Sequence, residues 1–186
     1  MLKNSENLWS RQKFPIEDYR ALVSPNGEPE LLAIYQRIQR DFEAGNSGEY
    51  LARSIEQILE TRRLDGCQEW GVLWTRILQE LGINSTYIQG VDAEWLEQYA
   101  YDWNGDGWKG HVFLRFDSPE GPVVFCSTTA RRVPYGEFTE GERIVDKRFV
   151  ILFEGSGPDD FDACTQDGIN QLLRPLVSRW MGEKER

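Results

Sequence analysis

From Glu30 onward, apolar residues recur three and four positions apart: Leu31, Ile34, Tyr35, Ile38 and Phe42. That spacing lines one face of a helix, and the string Gly45-Asn46-Ser47-Gly48 breaks it. Leu51, Ile55, Ile58 and Leu59 repeat the pattern. The clearest helix follows, with Trp70, Leu73, Trp74, Ile77, Leu78 and Leu81 on one face and Gly82 placed as its C-cap. Cys67 falls at its first turn. The texture changes at residues 85–91, where STYIQGV carries the β-branched and aromatic residues that suit a strand. Residues 111–116 and 122–129 predict two further strands joined by the turn Asp117-Ser118-Pro119-Glu120-Gly121, and residues 148–153 predict another. Helices therefore come first and an antiparallel meander follows, an α+β arrangement. Residues 165–181 predict a last helix with Ile169, Leu172, Leu173, Leu176 and Trp180 apolar, which Pro175 is expected to break or kink.

Residues 1–30 mix charges, aromatics and the turn-rich SPNGEPE, which predicts an irregular arm anchored by Trp9, Phe14 and Tyr19. No internal repeat or low-complexity segment is present, and the acidic stretch GSGPDDFDACTQDG reads as a solvated loop. At 186 residues the chain fits a single domain: the arm, a core over residues 50–130, and a strand-and-helix extension over 131–186. Its 31 acidic against 21 basic residues, a formal charge of −10, disfavour nucleic acid or an anionic membrane surface as partner. The apolar runs fall far short of a bilayer span, so no membrane association and a cytoplasmic location are expected. Three cysteines without tight spacing fit a reducing compartment and no structural disulfide. Oligomeric state is not legible.

The only histidine, His111, opens the run GHVFLRF, and Cys67 sits upstream in DGCQEWGVLWTRILQELGI. A thiol is a good nucleophile at neutral pH when its thiolate is favoured, and a helix N-terminus and an imidazolium both do this. Taken singly, each residue has a plainer explanation, since cysteine is often a buried small hydrophobe and histidine a satisfied core residue. Their order in the chain argues further. Gly66-Cys67 opening a helix, the phrase ELGINSTYIQGV, the strand start Gly110-His111-Val112-Phe113, and the following VVFCSTTA together resemble the transglutaminase-like cysteine enzymes over residues 50–130. The resemblance implies a papain-like fold, Cys67 as nucleophile, His111 as base, and no cofactor. It also implies an aspartate to orient the imidazole, and here the chain departs: Cys126, followed by Ser127, occupies that place. Ser127 or a backbone carbonyl could hold the ring, Cys126 could do so as a thiolate, and Asp117 is a poorer candidate in the hairpin turn.

Cys67, His111 and Cys126 also form a possible zinc set, but no C-x-x-C spacing exists and no metal is expected. Asp102-Trp103-Asn104-Gly105-Asp106-Gly107 opens like a calcium loop, then fails at its twelfth position, Phe113. It is expected to be a turn that walls the cleft with Trp103 and Trp108. Trp70 is a further candidate substrate contact, with core packing as its alternative. The N–H of Cys67 is the natural first oxyanion donor, Gln68 a candidate second, and Cys164 has no expected role. The expected function is acyl transfer at an amide of a peptide or protein through a thioester on Cys67, with hydrolysis preferred. The alternative is a catalytically degenerate module that binds a peptide or protein in the old cleft.

Overall fold

A computed structural model describes residues 16–45 and 53–184. A short helix, α1 (Ile16–Arg20), buries Tyr19, whose hydroxyl donates to Asp41 at 3.1 Å, so this part of the arm is anchored as its aromatic content suggests. Trp9 and Phe14 lie outside the described residues. Helix α2 (Leu31–Asp41) turns Leu31, Ile34 and Ile38 inward, and leads to a two-residue strand β1 (Glu43–Ala44) paired in parallel with β2 (Arg63–Leu64). Between them, α3 (Ile55–Thr61) starts with a capping box: Gln57 N–H donates to the Ser54 hydroxyl while the Gln57 side chain accepts from Ser54 N–H.

Helix α4 (Cys67–Glu80) buries Trp70, Leu73, Trp74, Ile77 and Leu78. It ends as its sequence predicts. Gly82 takes a positive φ of 76°, and the N–H groups of Gly82 and Ile83 donate back to Gln79 and Leu78 at 3.0 and 2.8 Å, the paired bonds of a Schellman cap. Close approach to the sheet depends on Gly71, where a Cβ would come within 2.5 Å of Val112 Cγ1 and 2.7 Å of Tyr87 Cε2.

The sheet runs β6-β5-β4-β3-β7, antiparallel throughout, from β3 (Ser85–Asp92), β4 (Gly110–Ser118), β5 (Gly121–Cys126), β6 (Arg132–Pro134) and β7 (Phe149–Gly155). The meander expectation holds for β3 to β6. Strand β7 then crosses to the far edge and pairs with β3, so the C-terminal extension completes the sheet instead of appending to it. One face packs under α4 through Tyr87, Val91, Val112, Leu114 and Phe125; the other holds a smaller cluster of Ile88, Phe113, Val124, Cys126, Phe138 and Phe149.

Three differences from the sequence expectations have local causes. Strand β5 stops at Cys126 because the following residues form a turn, with Ala130 at φ 58° and its N–H on the Cys126 carbonyl at 2.9 Å. Helix α5 (Ala93–Tyr99) arises where no helix was expected: Asp92 caps it by accepting from Glu94 and Trp95 N–H, and Ala93, Trp95 and Leu96 turn inward. The last helix, α7 (Gln166–Lys184), runs through Pro175, since Ile169, Leu173, Leu176 and Val177 bury apolar surface on both sides of it. A short helix α6 (Tyr135–Thr139) covers the smaller cluster through Phe138. The fold is α+β. Among the described residues no helix is long and apolar enough to cross a membrane.

Candidate active site

Cys67 is the first residue of α4, and the chain leading to it is fixed by charge. Glu69, buried one turn in, receives Arg53 in two-pronged fashion, Nε to Oε1 and Nη2 to Oε2 at 2.6 Å each. The Asp65 N–H donates to the same carboxylate at 2.7 Å, and Arg53 Nη2 reaches the Arg63 carbonyl at 2.8 Å. A buried carboxylate is tolerable only when so paired, and here its pairing holds the loop that delivers Cys67.

His111 is the second residue of β4, opposite Gly90 of β3. Strand parity puts His111 and Phe113 on one face, the register Phe113↔Cys126 puts Cys126 on that same face, and the turn after β5 brings Thr128 back to the ring. His111 Nε2 lies 3.1 Å from Cys126 Sγ and 3.3 Å from Thr128 Oγ1, and those two atoms are 3.4 Å apart. The ring meets Phe113 edge to face with centroids 5.1 Å apart and lies 6.3 Å from that of Phe149. Burial by itself pushes the imidazole down; hydrogen bonds with Cys126 and Cys67, and their charges, outweigh it and take His111 up to about 10. Cys126 is fully buried, which favours its neutral thiol, yet the His111 contact brings it down to about 7. At neutral pH and somewhat above, the buried arrangement is thus an imidazolium beside a thiolate.

Of the residues singled out from sequence, Cys67, His111 and Cys126 come together. Ser127 adjoins them, but its hydroxyl donates to the backbone carbonyls of Val112 at 2.9 Å and Cys67 at 3.4 Å, not to the imidazole. Its own carbonyl accepts the Trp74 indole N–H at 2.9 Å, so Ser127 ties β5 to α4. Asp117 sits six residues along β4 from His111, about 20 Å at strand rise, and pairs with Pro122. Trp70 is 8% exposed and packs on Tyr35 in the core with ring centroids 5.5 Å apart, so its placement is that of a core residue. Trp108 lies across Gly110, where a Cβ would meet its ring at 2.1 Å, and lines a cavity of about 490 Å³ against His111. Trp103 meets Trp95 edge to face at 6.1 Å and lines a neighbouring cavity of about 250 Å³.

The segment 102–107 is a loop closed on itself, Asp106 N–H donating to Asn104 Oδ1 at 3.2 Å, and tied to α7 by Asn170 Nδ2 on the Gly105 carbonyl at 2.7 Å. Among the described residues no group of three or more His, Cys, Asp or Glu side chains is placed to hold a metal ion. Two residues escaped the sequence reading. Thr128 was visible only as part of a strand, and Gln89, an amide in an apolar strand, donates to the His111 carbonyl at 3.2 Å from a fully buried position.

No protein-family model matches the sequence, and no curated protein matches it. Solved structures do resemble it. LapG from Legionella pneumophila superposes with a TM-score of 0.50 at 11% identity, over 91% of this chain and 88% of that one. The fold is of that type. An EGTA-treated form of the same protein gives 0.47 at 12% identity, over 75% of this chain and 70% of that one. A candidate cysteine protease from Cytophaga hutchinsonii gives 0.47 at 14% identity over 82% of this chain, which spans only 45% of that protein. These are likenesses of fold; the chemistry must be argued from the residues.

Proposed function

We propose that the protein is a cysteine-dependent hydrolase of amide bonds in a peptide or protein, with Cys67 as nucleophile and His111 as its base. The observation that carries this is the placement of the sole histidine 3.1 Å from the Cys126 thiol and close enough to Cys67, at the first turn of a helix, to feel its charge. The Cys67 thiolate attacks the carbonyl carbon, and the oxyanion is met by the Cys67 N–H at the helix start, where backbone donors have no intrahelical acceptor. The C–N bond then breaks as the imidazolium passes its proton to the leaving nitrogen, leaving a thioester. Water attacks the thioester, His111 takes its proton, and the C–S bond breaks to release the carboxylic acid and restore the Cys67 thiolate beside the imidazolium. Cys126 takes the place of the usual carboxylate: as a thiolate it orients the ring and stabilises the imidazolium, with Thr128 as a second partner. Three free cysteines, Cys67, Cys126 and Cys164, suit a reducing, cytoplasmic setting.

The pH dependence of Cys67 alkylation by iodoacetamide, followed by peptide mass mapping, tests this. Fast alkylation of Cys67 below pH 7 that is lost in His111→Ala is expected. Alkylation at the rate of an ordinary cysteine in both proteins would overturn the hydrolase and leave a second reading, a module that binds a peptide or protein without turning it over. That reading is favoured by one observation: among the described residues, the imidazole's side-chain hydrogen-bond partners are the Cys126 thiol and the Thr128 hydroxyl, with no carboxylate.

A further inference from the structure

The cavity against His111 does not reach Cys67, and its walls include Asp92, Trp108, Lys109, Val145 and Lys147. Two independent features mark it. The first is charge. In a chain of formal charge −10, two lysines here face a single carboxylate, and that carboxylate is already engaged. Asp92 is 2% exposed, pairs with Lys147, and accepts the Glu94 and Trp95 N–H groups at 2.9 and 3.3 Å. The Lys147 side chain remains 43% exposed and so can meet a second anion. Lys109 is exposed, and its carbonyl accepts the Asp92 N–H at 3.0 Å, which holds it beside that pair.

The second feature is strain. Val145 and Asp146 occupy φ values of 50° and 65° in a turn closed by reciprocal bonds between Ile144 and Lys147 at 3.0 and 3.2 Å. Positive φ is costly for a β-branched residue, and such conformations persist where the surrounding structure demands them, commonly at functional sites. Here the strained turn places Val145 in the cavity wall and Lys147 over Asp92.

We infer that this cavity is the subsite for the departing, amine-side segment of the substrate, and that it accepts a carboxylate carried by that segment. The inference rests on the Cys67–His111 reading above. In that reading the imidazolium gives its proton to the leaving nitrogen, so space touching the imidazole and not the nucleophile belongs to the group that leaves. Lys109 and the exposed side of Lys147 supply the charge, while Trp108 and Phe149 cover the aliphatic stem. The carboxylate is either an acidic side chain or a free chain terminus.

The test uses the full chain and compares Cys67 alkylation by anionic iodoacetate and neutral iodoacetamide as a rate ratio. Lys109→Glu is expected to lower the ratio about fivefold, the scale of one charge reversal near a solvated site. Arg40→Glu, on α2 and outside the cavity walls, is expected to leave it at the parent value. A synthetic peptide library, in C-terminally amidated and free-acid forms, then reads the source. Cleavage before acidic residues in the amidated library assigns the side chain, and cleavage confined to free-acid ends assigns the terminus. A reactive Cys67 whose ratio ignores Lys109→Glu, with cleavage indifferent to acidic residues and to free ends, overturns the subsite and leaves the hydrolase standing. Cys67 inert to both reagents overturns the hydrolase, and the subsite falls with it.

Discussion

Replacing Cys126 by serine removes the one group beside His111 that can carry charge without itself being the nucleophile. Serine is close in size, so the packing against Phe113, Val124 and Phe149 is kept, while a hydroxyl does not ionise in the accessible pH range. Burial acts to raise Cys126, while the His111 contact, helped by hydrogen bonds with Thr128 and Thr129, brings it from 9.0 to about 7. That net change, about 3 kcal/mol or roughly a hundredfold in a protonation equilibrium, sets the scale of what His111 and the hydroxyls of Thr128 and Thr129 together do for the thiolate. Coupling is reciprocal and His111 is the foremost of those contributors, so His111, now at about 10, should fall by more than about one pH unit in Cys126→Ser. With one histidine in the chain, the imidazole resonance in an NMR titration needs no assignment. A His111 midpoint that moves by less than about half a unit would refute the claim that a Cys126 thiolate sustains the imidazolium.

The same pair predicts a pH window in stability. A histidine raised in the folded state stabilises it fully below its unfolded value of 6.5 and ceases to do so as pH rises through about 10. A lowered thiol contributes above its unfolded value of 9.0 and loses that as pH falls through about 7. The melting-temperature gap between parent and Cys126→Ser should accordingly peak between pH 7 and 10 and shrink on either side; a gap flat with pH would count against the ion pair. Glu69→Gln should cost about 3 kcal/mol in urea unfolding, because it leaves the Arg53 guanidinium with a neutral partner in a mostly buried pair. Gly71→Ala should cost about 1–3 kcal/mol and also slow Cys67 alkylation, since the new methyl pushes α4 away from Val112 and Tyr87; equal stability would contradict the close packing. Cys164, pushed up to about 12 by burial and by Asp159, which accepts its S–H at 2.8 Å, should stay unlabelled at pH 8 while Cys67 reacts.

Local pattern was a good guide wherever one period and one cap governed the outcome. Helix α4, its glycine stop and Cys67 at its start could all be read from residues 66–82, because an amphipathic stripe and a Schellman glycine are properties of consecutive residues. The same holds for strands β3, β4 and β7. Short helices were less visible. In α5 the signal is Asp92 as a cap and three inward residues, too few turns for periodicity to stand out.

The amino-acid sequence by itself determined that one cysteine begins a helix, that the only histidine begins a strand, and that a cysteine rather than a carboxylate follows on the next strand. Tertiary structure alone decided what these residues touch. Register between β4 and β5 turned Cys126 toward His111, because a strand alternates faces and a slip of one residue would turn it away, and the turn after β5 brought Thr128 to the same ring and Ser127 to α4. It also placed Trp70 in the core and brought the 144–147 turn, far along the chain, against His111. These are outcomes of packing between distant segments, where burial of each face is settled by what arrives opposite it, and no short-range period in the chain encodes that arrival.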